Sequence, residues 1–314
     1  MTGELICFDG TVYRMPNTLS WRVLRTGGVP CDAFSITCLY DGKLREVLPT
    51  AYRFAAYEGD TLVLRGVVDS WQAESGTEGL RLTVEGRGMA ALLLDNEAEA
   101  VEYQGVTLEE ILRNHAAPWG ITWGDVPALR WAGAYRVESG SSQWKALSGF
   151  TSVARGFTPH FTHTGILELR ALAGSGESRL LDSSTPVLSC RLREERYGVI
   201  SEMLVKDKSR GIRHTARNEA FLGRGGSRRQ VLYLPAAGNL SAMRYTGAYQ
   251  IQQSERGKRQ LEMTVAGGFA AQPGDVVQVR YWPLDISGSY DVVEADSRGD
   301  AGGVTTTLVM EERS

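Results

Sequence analysis

The chain has 314 residues, 42% of them hydrophobic and 23% charged. That composition excludes a disordered chain and leaves room for two or three domains of about 100–150 residues with cores of their own. The formal net charge of -3 excludes a chain built throughout to hold a polyanion. No run of about 18 apolar residues is long enough to span a membrane, so no membrane insertion is expected.

Met1–Arg14 lacks the basic start and apolar stretch of a secretory signal, and none is read. The first third then reads as β. Glu4–Cys7, Thr11–Arg14, Ser35–Leu39, Thr61–Val68 and Leu80–Glu85 are short runs divided by Gly, Asp and Pro turns, as in a barrel or sandwich. Leu80–Glu85 alternates apolar and polar residues, so one face is buried and the other is wet. A short helix follows over Met89–Leu94.

The middle third changes character. Thr107-Leu108-Glu109-Glu110 is a capping box. It opens a helix with Leu108, Ile111 and Leu112 on one face, which Pro118-Trp119-Gly120 stops. A second helix is predicted from about Ser142 to Arg155, with Trp144, Leu147 and Phe150 inward and Gly156 as its cap. Phe157–Thr162 and Ile166–Arg170 form a hairpin turning at Thr164-Gly165. The last third returns to β, over Val199–Lys206, Gln230–Leu234, Gln260–Val265, Asp275–Tyr281, Tyr290–Ala295 and Val304–Glu311. The predicted fold class is mainly β with an inserted α+β domain. A first β-barrel domain covers 1–96, the α+β domain 97–188, and a second β-barrel domain 189–314, which carries a basic loop at 206–229.

The two β-rich ends read as copies of one unit. Gly59-Asp60 and Thr61–Arg65, then Val68-Asp69-Ser70 and Gly79–Glu85, match Gly274-Asp275 and Val276–Arg280, then Val293-Glu294-Ala295 and Gly303–Glu311. Gly-Asp turns are common in antiparallel meanders, so the match rests on the order of the pieces.

Catalytic signatures are missing from the sequence. There is no Gly-x-Ser-x-Gly, His-Glu-x-x-His or P-loop. Cys7, Cys31, Cys38 and Cys190 lack zinc-ligand spacing and are read as free thiols. His160 and His163, three apart on a strand and turn, are weak candidates for a metal pair, and His115 and His214 are isolated. Glu109-Glu110 and Asp95/Glu97 are better explained by helix capping and solvation than as a glycosidase pair. No catalytic residue, metal or cofactor is assigned. The charge stands out elsewhere: Lys206, Lys208, Arg210, Arg213, Arg217, Arg224, Arg228 and Arg229 face only Asp207 and Glu219 within the same window. These eight cations are the candidate partner or channel contacts. With Phe221 as the one aromatic among them, specific nucleic-acid binding is not expected.

The segment Leu82-Thr83-Val84-Glu85-Gly86-Arg87-Gly88-Met89-Ala90-Ala91-Leu92-Leu93-Leu94-Asp95 resembles the strand, Gly-Arg, short helix and Leu-Leu-Asp exit from the first barrel of the baseplate hub family of contractile-tailed phages. That family includes the Mu-like hub and late control protein D groups, and the first module of type VI secretion spike proteins shares its fold. The helix at Thr107–Ala116, Trp119-Gly120-Ile121 and the helix at Trp144–Val153 with its hairpin fit in the same order. The resemblance covers nearly the whole chain, through short motifs. It implies two tube-protein-like barrels per subunit and a homotrimeric ring that adapts a hexameric tail tube to a trimeric central spike. The implied partners are the tail tube protein, a separate central spike protein, other baseplate proteins and the tape measure protein, with DNA passing through the channel. It also implies assembly in the host bacterial cytoplasm into a virion tail or extracellular particle, contractile or not. The alternatives are a tail-associated peptidoglycan hydrolase and a β-barrel nucleic-acid-binding protein.

Overall fold

The computed structural model describes residues 1–27, 31–77, 79–174, 177–207, 211–234, 240–255 and 258–313. The first module contains β1 (Thr2–Cys7), β2 (Val12–Arg14), β3 (Thr18–Thr26), β4 (Ala33–Leu39), the short helix α1 (Leu44–Val47), β5 (Ala51–Glu58), β6 (Thr61–Gly76) and β7 (Gly79–Gly88). Its strands are hydrogen-bonded in the order β3-β4-β7-β6-β5-β1-β2. Alternation along β1, β4 and β7 sends Leu5, Phe34, Ile36, Leu82 and Val84 into one buried cluster. β4 and β5 are separated by two strands in the sheet, yet Phe34 and Phe54 stack with centroids 4.1 Å apart. The sheet therefore curls around its core. Gly66 and Gly86 permit the curl: a Cβ on Gly86 would lie 1.9 Å from the Val67 carbonyl oxygen and 2.6 Å from the Phe34 ring.

The helix α2 (Ala91–Leu94) leads into the α+β module. That module holds β8 (Val101–Gln104), α3 (Leu108–His115), β9 (Thr122–Trp123), β10 (Ala134–Val137), α4 (Gln143–Arg155), β11 (His160–Phe161) and β12 (Ile166–Glu168). The capping box is formed: the Glu110 amide donates to the Thr107 hydroxyl at 3.3 Å, and the Thr107 amide donates to Glu110 Oε2 at 2.8 Å. The other helix has Ser142 as its N-cap and Gly156, at φ 73°, as its C-cap. Leu108, Ile111, Leu112, Leu147 and Phe150 fill this core, while Trp144 is half-buried against it.

His115 is buried between the helices. Its Nδ1 lies 2.7 Å from Gln143 Oε1, to which it donates, and its Nε2 accepts from the Tyr103 hydroxyl at 3.0 Å. Burial holds its pKa below the ordinary value, against the opposing hydrogen bond to Gln143. Its contribution to stability is then complete above the unfolded imidazole value of about 6.5 and is lost as pH falls through the lower folded value. Asp32, pushed up to about 6 by burial, works in the opposite sense, so the two must be separated. The stability gap between the wild type and His115→Gln is expected to be widest at pH 7.5 and to narrow at pH 5.5. Paired thermal melts measure it, and a gap that widens toward acid contradicts this reading.

β13 (Ser178–Leu181) follows the α+β module, and its Leu181 joins the second β core. β14 (Val187–Glu194) follows. A separate three-stranded sheet is then built from β15 (Glu202–Asp207), β16 (Arg213–Arg217), the short α5 (Glu219–Leu222) and β17 (Arg229–Leu234), with α6 (Leu240–Glu255) against it. The second module is completed by β18 (Arg259–Ala266), β19 (Val276–Tyr281), β20 (Ile286–Asp300) and β21 (Gly303–Glu312).

Strand order in this module is β14-β18-β21-β20, with β19 on the first half of β20. This repeats β3-β4-β7-β6, with β5 on the first half of β6. The repeat extends to register. β3 breaks its ladder between Thr18 and Ser20, and β14 between Val187 and Ser189. β6 has its bulge between Val68 and Ser70, and β20 between Val292 and Glu294. Thr37 and Thr83 share a hydrogen bond of 3.0 Å, and their counterparts Thr264 and Thr307 one of 2.9 Å. Gly79 and Gly303 close the equivalent hairpins at φ 96° and 119°. The ladders correct the sequence alignment in two respects: Val276–Arg280 corresponds to β5, not to Thr61–Arg65, since β19 and β5 are the strands paired with the first halves of β20 and β6, and the shared bulge sets Ser70 against Glu294 rather than Ala295. A Gly-Asp turn before a strand ending in Arg occurs at both places but on non-equivalent strands.

The two modules are themselves joined. β20 pairs antiparallel with β3 from Glu294↔Thr26 to Gly299↔Trp21, and Arg22 Nε meets Asp296 Oδ1 at 3.0 Å across that joint. Burial works against the Asp296 charge, but hydrogen bonds from Arg298 and Arg22 hold its carboxyl below the ordinary range.

Candidate functional site

The stretch read as a basic loop is mostly folded in its described residues. Met203 and Val205 point from β15 toward α6, where Met243 and Ile251 complete a small core. The alternate residues of β15 therefore face away from the helix. Register places three rows on that outer face: Arg217–Glu202–Arg229, Thr215–Leu204–Val231 and Arg213–Lys206–Tyr233.

In the first row one carboxylate bridges two arginines, so the row keeps a net charge of +1. Arg217 Nε lies 3.1 Å from Glu202 Oε1, and Arg229 Nη2 lies 2.8 Å from Glu202 Oε2. The third row remains cationic, with the Lys206 ammonium 5.8 Å from the centre of the Tyr233 ring. Val231 is 46% exposed and Tyr233 52%, so the face combines apolar surface with cations at one end. Arg228 lies apart from these rows, donating to the Tyr197 carbonyl at 2.7 Å with its guanidinium over the Tyr197 ring. Arg224 donates to the Ala220 carbonyl. Lys208 and Arg210 lie outside the described residues. The face thus gathers Lys206, Arg213, Arg217 and Arg229, and leaves out Arg224 and Arg228.

Glu202, Val231, Tyr233 and Tyr197 were not singled out by sequence. The alternation of Gln230-Val231-Leu232-Tyr233 carried a signal for two of them. Phe221, the aromatic counted in the basic window, is buried and offers no ring for stacking. Arg87 holds Asp69 and Asp95 at 2.7 and 2.6 Å, and Glu110 is engaged in its capping box, so Asp95 and Glu110, two of the four carboxylates considered for hydrolysis, have structural partners. His160 Nδ1 donates to the Arg170 carbonyl at 3.1 Å, while His163 has a pKa lowered by burial and by the neighbouring Arg25 charge. Among the described residues no group of three potential ligands could hold a metal ion, and no helix is long and apolar enough to cross a membrane. All four cysteines are free; Cys7 and Cys38 are buried, Cys31 and Cys190 half-buried.

A second feature is a pair of open strand edges, one at β14, which ends the joined sheet, and one on β6 beyond the residues that pair with β5. The second half of β6, Ser70–Gly76, pairs with β7 alone among the described residues, and β14 pairs only with β18. Each offers a row of backbone donors and acceptors to another strand.

No family model and no curated protein matches the chain by sequence. Solved structures do match its fold. A tail protein from Neisseria meningitidis MC58 superposes with a TM-score of 0.75 at 19% identity, over 99% of this chain and 96% of that one. The 43 kDa tail protein of prophage MuSo2 from Shewanella oneidensis gives 0.77 at 18% identity, over 99% and 97%. An E. coli component of the type VI secretion system gives 0.55 at 14% identity, over 95% and 74%. The chain therefore has the mainly β fold of phage tail proteins, shared at lower similarity by a secretion-system component.

Proposed function

We propose that this chain is a structural hub subunit of a phage-type tail or related injection particle. Three copies close into a ring that adapts a hexameric tail tube to a trimeric central spike. The observation that carries this reading is the repeat. One chain holds two versions of the same four-stranded run, already joined through β20 and β3, and it carries two open edges, β14 and the second half of β6, that are counterparts of the joined ones. A ribbon with matching edges grows by adding copies of itself and closes when the rotation per copy permits. Three copies give six β modules for a sixfold tube, while the ring itself keeps the threefold symmetry a trimeric spike requires.

Support for a place between tube and spike comes from the fold shared with the two tail proteins and with a chain of the Francisella PdpA–VgrG complex, at a TM-score of 0.57. In this reading the outer face of β15–β17 meets an acidic surface on a spike, tube, tape measure or other baseplate protein, with Lys206 and Arg213 as the contacting cations. DNA passes through the ring without sequence-specific contact. The role is structural, in a particle assembled in the bacterial cytoplasm.

Mass photometry of the purified chain, alone and with its spike protein, tests the ring. The expected species has three times the 34.4 kDa chain mass, and negative-stain averages show a central channel. A chain that remains monomeric in both mixtures overturns the proposal.

A further inference from the structure

We propose that Ser70–Ser75 of β6 pairs antiparallel with Cys190–Glu195 at the β14 edge of a second copy of this chain, in one fixed register. The inference deepens the ring reading and rests on it. The β20–β3 joint is its template, because every strand in that joint has a counterpart at the open edges. Carrying Glu294–Gly299 of β20 to β6 through the shared bulge gives Ser70–Ser75. Carrying Trp21–Thr26 of β3 to β14 through the shared register break gives Cys190–Glu195. The pairing Glu294↔Thr26 to Gly299↔Trp21 then becomes Ser70↔Glu195, Trp71↔Glu194, Gln72↔Arg193, Ala73↔Leu192, Glu74↔Arg191 and Ser75↔Cys190.

The side chains suit this register although the alignment used only backbone pairing. Glu74 falls directly opposite Arg191, which is exposed and 3.5 Å from its own Glu262, so opposite charges face each other across the ladder, where the internal joint has Arg298 opposite Arg22 and Arg22 reaches Asp296 diagonally. Trp71 is 47% exposed, whereas its counterpart Ala295, on the strand paired with β3 and packed in the second β core, is 2% exposed. In the proposed ladder Trp71 lies diagonal to Leu192, which is half-buried, and becomes the apolar anchor of the interface. At the end of the joint, Trp21 lies over Gly299, where a Cβ would approach its ring to 2.4 Å. At the open edges both counterparts, Cys190 and Ser75, are small, so the strands can approach without a glycine.

The register makes a single substitution diagnostic. Ser75→Cys places a thiol opposite the native Cys190, and directly opposed antiparallel residues lie about 4.5–5.5 Å apart at Cα, within disulfide range. Mild oxidation of the oligomer is expected to give covalent multimers ending at three chains, abolished by adding Cys190→Ser. As a second arm, Glu74→Arg and Arg191→Glu are each expected to weaken association roughly tenfold or more, and the double variant to restore it. An oligomer of three that forms without this crosslink, or whose crosslink survives Cys190→Ser, overturns the register and leaves the ring standing. A chain that never associates overturns both.

Discussion

Phe34→Ala is expected to destabilise the first β module by about 3–5 kcal/mol, a large share of the roughly 5–15 kcal/mol that holds a domain folded. Phe34 and Phe54 are both buried and stack at 4.1 Å with an interplanar angle of 13°, and they stand on strands that meet only because the sheet curls. Removing one ring leaves the curl without its filling, and the glycines on the intervening strands have no side chain to move into the space. Denaturant unfolding checks this: the midpoint should fall sharply with an unchanged slope. A loss below about 1 kcal/mol would show that the site collapses freely.

The second large effect concerns the partner of that ring. In the first module Phe34 is paired with Gly86, and Phe54 with Gly66. At the counterpart positions of the second module Leu261 is paired with Met310, and Val277 with Tyr290. Both modules fill the same interior, one from the outer strands and the other from the inner ones. Gly86→Met, which copies the second module's residue into the first, is therefore expected to overpack the core, where such insertions typically cost about 1–3 kcal/mol. The backbone approach of 1.9 Å to the Val67 carbonyl adds to that cost. Combining it with Phe34→Leu should recover part of the loss, giving a favourable coupling in a double-mutant cycle of about 0.5–3 kcal/mol. Strictly additive losses would show that the two cores are not interchangeable solutions of one shape.

Much of the fold was legible where local chemistry and tertiary structure agree. The capping box at Thr107, the caps Ser142 and Gly156, and the alternation of Leu80–Glu85 each state a structure within a few residues. β3 and β5 were missed. β3 is covered along one edge by β20, and Trp21, Arg22, Leu24 and Arg25 mix apolar and charged residues on both faces. α6 was missed because Leu240–Glu255 has no strong apolar stripe and opens without an acidic first turn. Charge density along the chain reads 206–229 as a loop, whereas Arg213 and Arg217 sit on the outer face of a strand. Glu202, which bridges two of the arginines, lies outside 206–229. The register of the repeat could not be read from Gly-Asp turns, since only ladder pairing distinguishes β5 from β6.

The joint between β3 and β20 also imposes an order of events on synthesis. Arg22 and Asp296 are 274 residues apart, so β3 leaves the ribosome long before the strand that will cover it. During that interval its edge is bare, and non-local pairings of this kind form slowly. The late strand of another nascent chain fits that edge as well as the chain's own. Closure within one chain does not depend on concentration, whereas capture between chains rises with it, and swapped strands linked head to tail need not close. The yield of discrete particles should thus depend on how crowded the chains are while they fold, even when the finished subunit is stable.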